Sequence, residues 1–193
     1  MRQGSFQDAH QFTAKWEGGL SDHPADRGGL TAYGATIGFV QEIAATASGK
    51  NFLQAIGVAL PVTKAVMRQL RPGQVAAMFR RERWDALRLD DLPFRQAALL
   101  YDASVNHGPA QAVKLSQRGY NRCVAHGVKL AVDGILGPLT RKALQTDTDK
   151  VVREIIEARR EFYEGIVASR PDQRVFLKGW LNRANALEKL LLA

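Results

Sequence analysis

Apolar residues recur at helical spacing along most of the chain. Phe6, Ala9, Phe12, Thr13 and Trp16 mark a first helix after Ser5, with Asp8 three positions on in a capping-box arrangement. Glycine accepts the left-handed cap conformation, so this helix is expected to stop at Gly18-Gly19. Residues 20–30 (LSDHPADRGGL) concentrate Asp, Pro and Gly and predict an irregular loop. Thr31 to Phe39 (TAYGATIGF) predicts a short hairpin-like segment. Helices are expected from Val40 to Ala47, from a Thr63 cap to Arg71-Pro72-Gly73, and from Gln74 to Asp85. Pro93 to Val105 is strongly apolar and reads as the buried central helix. It should stop at Asn106-His107-Gly108-Pro109, where proline suits the first turn of the next helix, Ala110 to Arg122. Val128 to Gly137 reads as a turn-rich connector before a short helix, Pro138 to Gln145. A clear apolar stripe from Val151 to Val167 predicts a long helix, broken at Arg170-Pro171. A last amphipathic helix runs from Val175 to Leu192. The fold class is mainly α, a helical bundle with a small β-hairpin element near residues 30–38.

Composition narrows the function classes. Of 193 residues, 46% are hydrophobic and 24% charged, which is ordinary for a globular domain and excludes a disordered chain. No apolar run approaches the roughly 20 residues of a spanning helix. The start, Met1 to Asp8, has no apolar signal core. The expectation is a soluble protein made in the cytoplasm. Residues 1–50 carry four Lys/Arg and five Asp/Glu, net −1, and residues 51–193 carry 23 and 14, net +9. A basic body with an acidic N-terminal segment suits a polyanionic partner, either nucleic acid or an anionic cell-wall polymer. Cys123 is alone, which excludes an internal disulfide and a cysteine zinc site. His10, His23, His107 and His126 are too scattered for a zinc cluster, so neither metal nor cofactor is expected. Ser48-Gly49-Lys50-Asn51 lacks the remaining parts of a phosphate loop, and dinucleotide, serine-hydrolase and zinc-protease motifs are absent.

The segment Trp16 to Gly34 carries the candidate chemistry. Glycosidic cleavage needs a carboxyl that protonates the leaving oxygen, a second carboxylate that stabilises the cation or orients water, and a hydroxyl that holds that water. Glu17 at a helix end, followed by Asp26 and Thr31 on a glycine-rich loop, supplies these groups. Spacing alone leaves open a plainer reading, in which Glu17 pairs with a lysine and Asp26 caps a turn.

The run EGGLSDHPADRGGLTAYGAT, residues 17–36, resembles the N-terminal signature of glycoside hydrolase family 108, the N-acetylmuramidases of phage endolysins and bacterial lysis proteins. Arg80 to Pro93 (RRERWDALRLDDLP) and Leu100 to Pro109 (LYDASVNHGP) resemble further family segments. Val132 to Leu144 (VDGILGPLTRKAL) resembles the peptidoglycan-binding region that accompanies the family, and Phe176 to Arg183 (FLKGWLNR) is also similar. The chain departs from the pattern at Leu30, where a second acidic residue is common, and at Arg27 and Ala35.

The resemblance implies a lysozyme-like fold, with a catalytic region over residues 1–95 and a peptidoglycan-binding-like region over 96–193. It implies cleavage of the β-1,4 bond between N-acetylmuramic acid and N-acetylglucosamine. Glu17 is then the general acid, with Asp26 and Thr31 positioning water. Tyr33, Asn106 and Asp133 are candidate substrate-binding residues, although Asn106 also suits a helix cap and Asp133 a turn. The expected partner is bacterial peptidoglycan in the periplasm, met by a monomer that a holin or a secretion system exports. Alternatives are a lytic transglycosylase using Glu17 alone, a non-catalytic wall-binding protein and, least favoured, a DNA-binding protein.

Overall fold

The computed structural model describes residues 5–21, 30–126 and 129–193. The chain divides into two units, one of residues 10–82 and one of residues 1–9 with 83–193. Among the described residues no helix is long and apolar enough to cross a membrane.

In the first unit, helix α1 (Phe6–Ala14) enters from the other unit and ends four residues before the expected Gly18-Gly19 stop. The bonds from Lys15 N to Phe12 O and from Trp16 N to Thr13 O are i→i−3 and tighten the last turn early. Strands β1 (Leu20–Ser21), β2 (Thr31–Ala32) and β3 (Ala35–Thr36) form an antiparallel sheet in that order. Leu20 pairs with Ala32, and Ala32 with Ala35. The expected hairpin is therefore present, but it ends at Thr36. That hydroxyl accepts from Phe39 N and starts α2 (Ile37–Ala44) three residues earlier than expected.

A helix the periodicity did not predict, α3 (Ala47–Ala55), starts in the same way, with Thr46 accepting from Gly49 N. Thr63 caps α4 (Lys64–Arg68) as expected. Helix α5 (Pro72–Phe79) follows, and a π-helical turn, Arg80–Asp85, carries the chain out of the unit. Phe39 of α2 stacks on Phe79 of α5 with ring centroids 5.4 Å apart. Gln74 accepts from Arg71 N and donates to the carbonyls of Ile56 and Gly57, which fixes the turn between α3 and α4. In the turn the Arg81 guanidinium lies 4.9 Å from the Phe52 ring centroid.

The second unit is helical: α6 (Phe94–His107), α7 (Pro109–Cys123), α8 (Pro138–Leu144), α9 (Asp149–Ser169) and α10 (Arg174–Leu192). Helix α6 is the buried centre that its apolar run predicts. It is extended to Gly108, whose φ of 82° separates it from α7. Helices α7 and α9 approach closely at Gly119, where an added Cβ would stand 2.5 Å from Ile155 Cα. Phe6, Trp84 and Tyr101 form an edge-to-face cluster, and Trp84 Nε1 donates to Asp90. Trp84 is wholly buried. Trp180 is only half-buried, stacked between Tyr163 and the exposed Phe176.

A polar network lies inside this apolar packing. Asp102 of α6, 1% exposed, accepts from Arg183 of α10, and Arg159 NH1 of α9 lies 2.6 Å from its Oδ2. Burial pushes the Asp102 carboxyl up, but the two guanidinium charges outweigh it and hold the group well below the usual carboxylate range. Arg159 Nε and Asn106 Nδ2 both donate to the Tyr163 hydroxyl. Burial, with Arg159 and Arg183 adding to it, lowers His107 to about 3. His107 is therefore neutral, and its Nε2 lies within hydrogen-bond distance of the Tyr163 hydroxyl, 3.2 Å away.

Candidate active site

Glu17 follows the end of α1, its amide donating to Thr13 O, and its side chain is half-buried. What seats it is the β2–β3 turn. Tyr33 and Gly34 both have positive φ, 50° and 87°, the type I′ signature of a two-residue hairpin. Glycine fits the second position readily, whereas tyrosine in the left-handed region stores about 1–2 kcal/mol of strain. The turn is anchored by Tyr33 N donating to Gly19 O and Ile37 N donating to Leu30 O.

Gly34 then abuts the acid. A Cβ at that position would lie 2.6 Å from Glu17 Oε2 and 2.9 Å from Cδ, closer than side-chain contacts permit. Absence of a side chain at residue 34 leaves the room that the Glu17 side chain occupies beside the hairpin. Gly34→Ala should therefore displace Glu17 and strain the turn. The expected result is a loss of turnover of roughly tenfold to a hundredfold, the scale of an ångström-size misplacement. Steady-state kinetics on purified peptidoglycan checks this, and an unchanged kcat would show that the contact does not position the acid.

Thr31 stands on β2, half-buried, alternating with the fully buried Ala32 so that it occupies the other face of the strand. Tyr33 is half-buried at the turn. Asp26 lies outside the described residues, with the rest of 22–29. Leu30, where an acidic residue is common in the resembling family, is wholly buried and serves the core. The structure thus brings Glu17 together with the turn that holds Tyr33, and Thr31 lies two residues upstream of it. Sequence reasoning missed Gly34. Its only signal was the Tyr-Gly pair between two alternating segments.

The other two candidates belong to the second unit. The Asn106 amide donates to Tyr163 within the buried network. Asp133 is exposed, and its Oδ1 accepts from Ile135 N and from Gln117 Nε2, both at 2.8 Å. These two bonds, the backbone one first, lower its pKa. Asp133 is thus a turn-former and also lines a pocket of about 450 Å³. Among the described residues no group of three or more His, Cys, Asp or Glu is placed to hold a metal ion.

The family model described as Glycosyl hydrolase 108 matches residues 10–108, and the model described as Predicted Peptidoglycan domain matches residues 111–185. Among solved structures, SagA of Brucella abortus is similar, with 25% identity and a TM-score of 0.74 over 97% of this chain and 93% of that one. A comparison with curated proteins finds no match. The first model spans just over half of the sequence, from α1 to the end of α6 and through the whole Glu17 hairpin. The chain belongs to the glycosyl hydrolase 108 family and is a glycoside hydrolase of peptidoglycan.

Proposed function

We propose that the protein cleaves the β-1,4 bond between N-acetylmuramic acid and N-acetylglucosamine by hydrolysis, with Glu17 as the general acid. The observation that carries this reading is the seating of the Glu17 carboxyl on the backbone of Gly34, in a segment that matches a glycoside hydrolase family. Close approach of the hairpin backbone restricts the directions open to this carboxyl, which suits a proton donor to a glycosidic oxygen. Trp16, 38% exposed and next to Glu17 in sequence, and Tyr33, next to Gly34, offer ring faces that suit the apolar faces of sugars. Asp26 completes the reaction by orienting or activating water, and Thr31 holds that water.

The two supporting residues are expected to differ in weight. An amide at residue 26 cannot take up a proton, so Asp26→Asn should lower turnover by about a hundredfold while glycan affinity is retained. Thr31→Ala removes only a positioning hydroxyl and should lose about tenfold or less. Kinetics and equilibrium binding on the same glycan separate these outcomes. Near-full activity in Asp26→Asn would reduce Asp26 to a turn-former and leave Glu17 acting alone, as in a lytic transglycosylase.

A further inference from the structure

We propose that the pocket between the connector at residues 129–137 and α8 binds the acidic stem peptide of peptidoglycan, the carboxylate-bearing chain attached to muramic acid, rather than its sugars. This rests on reading the chain as a peptidoglycan hydrolase and says where, and by what chemistry, the second unit holds the polymer.

The pocket, about 450 Å³, is lined by Tyr120, Lys129, Ile135, Leu139 and Lys142 among others. Ile135 and Leu139 are 65% and 75% exposed, so two large aliphatic side chains stand in water at its edge. An irregular connector would ordinarily let such side chains collapse inward, but this one is pinned. Gln117, 1% exposed, donates to Asp133 Oδ1, Ile135 O and Thr140 Oγ1, and accepts from Gly134 N. Asn121 makes a two-way clasp with the backbone of Leu130. Two amides of α7 thus hold the connector in one shape, and the site is formed before ligand arrives.

Its charge selects the ligand. Asp133 points its Oδ1 into the connector, while Lys129 and Lys142 are exposed and make no ion pair among the described residues. The surrounding residues 111–185 carry 14 Lys/Arg against 8 Asp/Glu, net +6. Sugar recognition calls for aromatic faces and available amides, and here there is one tyrosine with both amides engaged. A stem peptide presents alanine methyls and free carboxylates, which match two aliphatic side chains and two ammonium groups.

Calorimetric titration of the full-length protein tests this with two soluble probes, a disaccharide–tripeptide fragment of peptidoglycan and the same disaccharide without peptide. The wild type should prefer the peptide-bearing probe. Each exposed ion pair accounts for up to a few-fold in affinity, so reversing both charges in Lys129→Glu/Lys142→Glu should weaken that probe by about tenfold. Binding of the bare disaccharide and hydrolysis of peptide-stripped glycan should be unchanged. Wild-type affinity in the double variant, or equal wild-type affinity for the two probes, overturns the site. Failure of the wild type to cut stripped glycan would instead strike the proposed activity, and the titration would still judge the pocket.

Discussion

Glu17→Gln is expected to lower turnover on purified peptidoglycan by at least about a hundredfold, the usual scale for loss of a general acid. Glutamine keeps the length and planarity of the side chain, so the contact with Gly34 survives and the hairpin keeps its turn. What disappears is the proton that must reach the glycosidic oxygen as the bond breaks. Binding of intact glycan should change little, because an amide still donates and accepts hydrogen bonds. The loss therefore falls on kcat rather than KM. Thermal melting of the variant should match the wild type, since Glu17 is half-buried and outside regular secondary structure. Activity within a few-fold of wild type would remove Glu17 from the mechanism.

Asp102→Ala should be the most destabilising single change in the second unit, by roughly 3–5 kcal/mol. The substitution leaves Arg159 and Arg183 buried side by side without the carboxylate that offsets their repulsion and desolvation. Three helices meet at this carboxylate, α6 through Asp102 itself, α9 through Arg159 and α10 through Arg183. The damage should therefore spread to the whole helical unit rather than stay local. Denaturant unfolding monitored by Trp fluorescence checks it. A shift below about 1 kcal/mol would mean that water or rearranged side chains replace the carboxylate. The network also explains why Asp102, in the middle of an apolar run, does not disrupt α6.

Where one periodicity dominated, the fold was legible in the sequence. The stripe from Val151 to Val167 corresponds to α9, and Pro109 and Pro138 open α7 and α8 at their first positions. The failures have local causes. Ser48, Gly49 and Asn51 are poor helix formers, so α3 was invisible. It forms because Thr46 caps it and because Gly49 and Leu53 bury against their surroundings. Phe12 and Trp16 keep helical spacing toward the glycines, but the backbone of the first helix tightens at Lys15.

The site was legible as a set of residue types and not as a geometry. Glu17 and Thr31 stand out by chemistry, and the family resemblance gave them roles. Gly34 carries no functional group, and its part in seating the acid emerges only when the type I′ turn folds back beside residue 17. In the same way Asp133 reads first as a turn residue, and it is one. Its association with a pocket depends on Gln117, sixteen residues earlier and buried in α7.

Hydrolysis of the muramic acid–glucosamine bond through Glu17 leaves a specific product end. Sacculi digested side by side with wild type and Glu17→Gln, reduced with borohydride and analysed by mass spectrometry, test it most directly. Wild-type fragments should end in reducible N-acetylmuramic acid, with almost none released by the variant in the same time. Fragments ending in anhydro-muramic acid or N-acetylglucosamine, or equal product from Glu17→Gln, would contradict it.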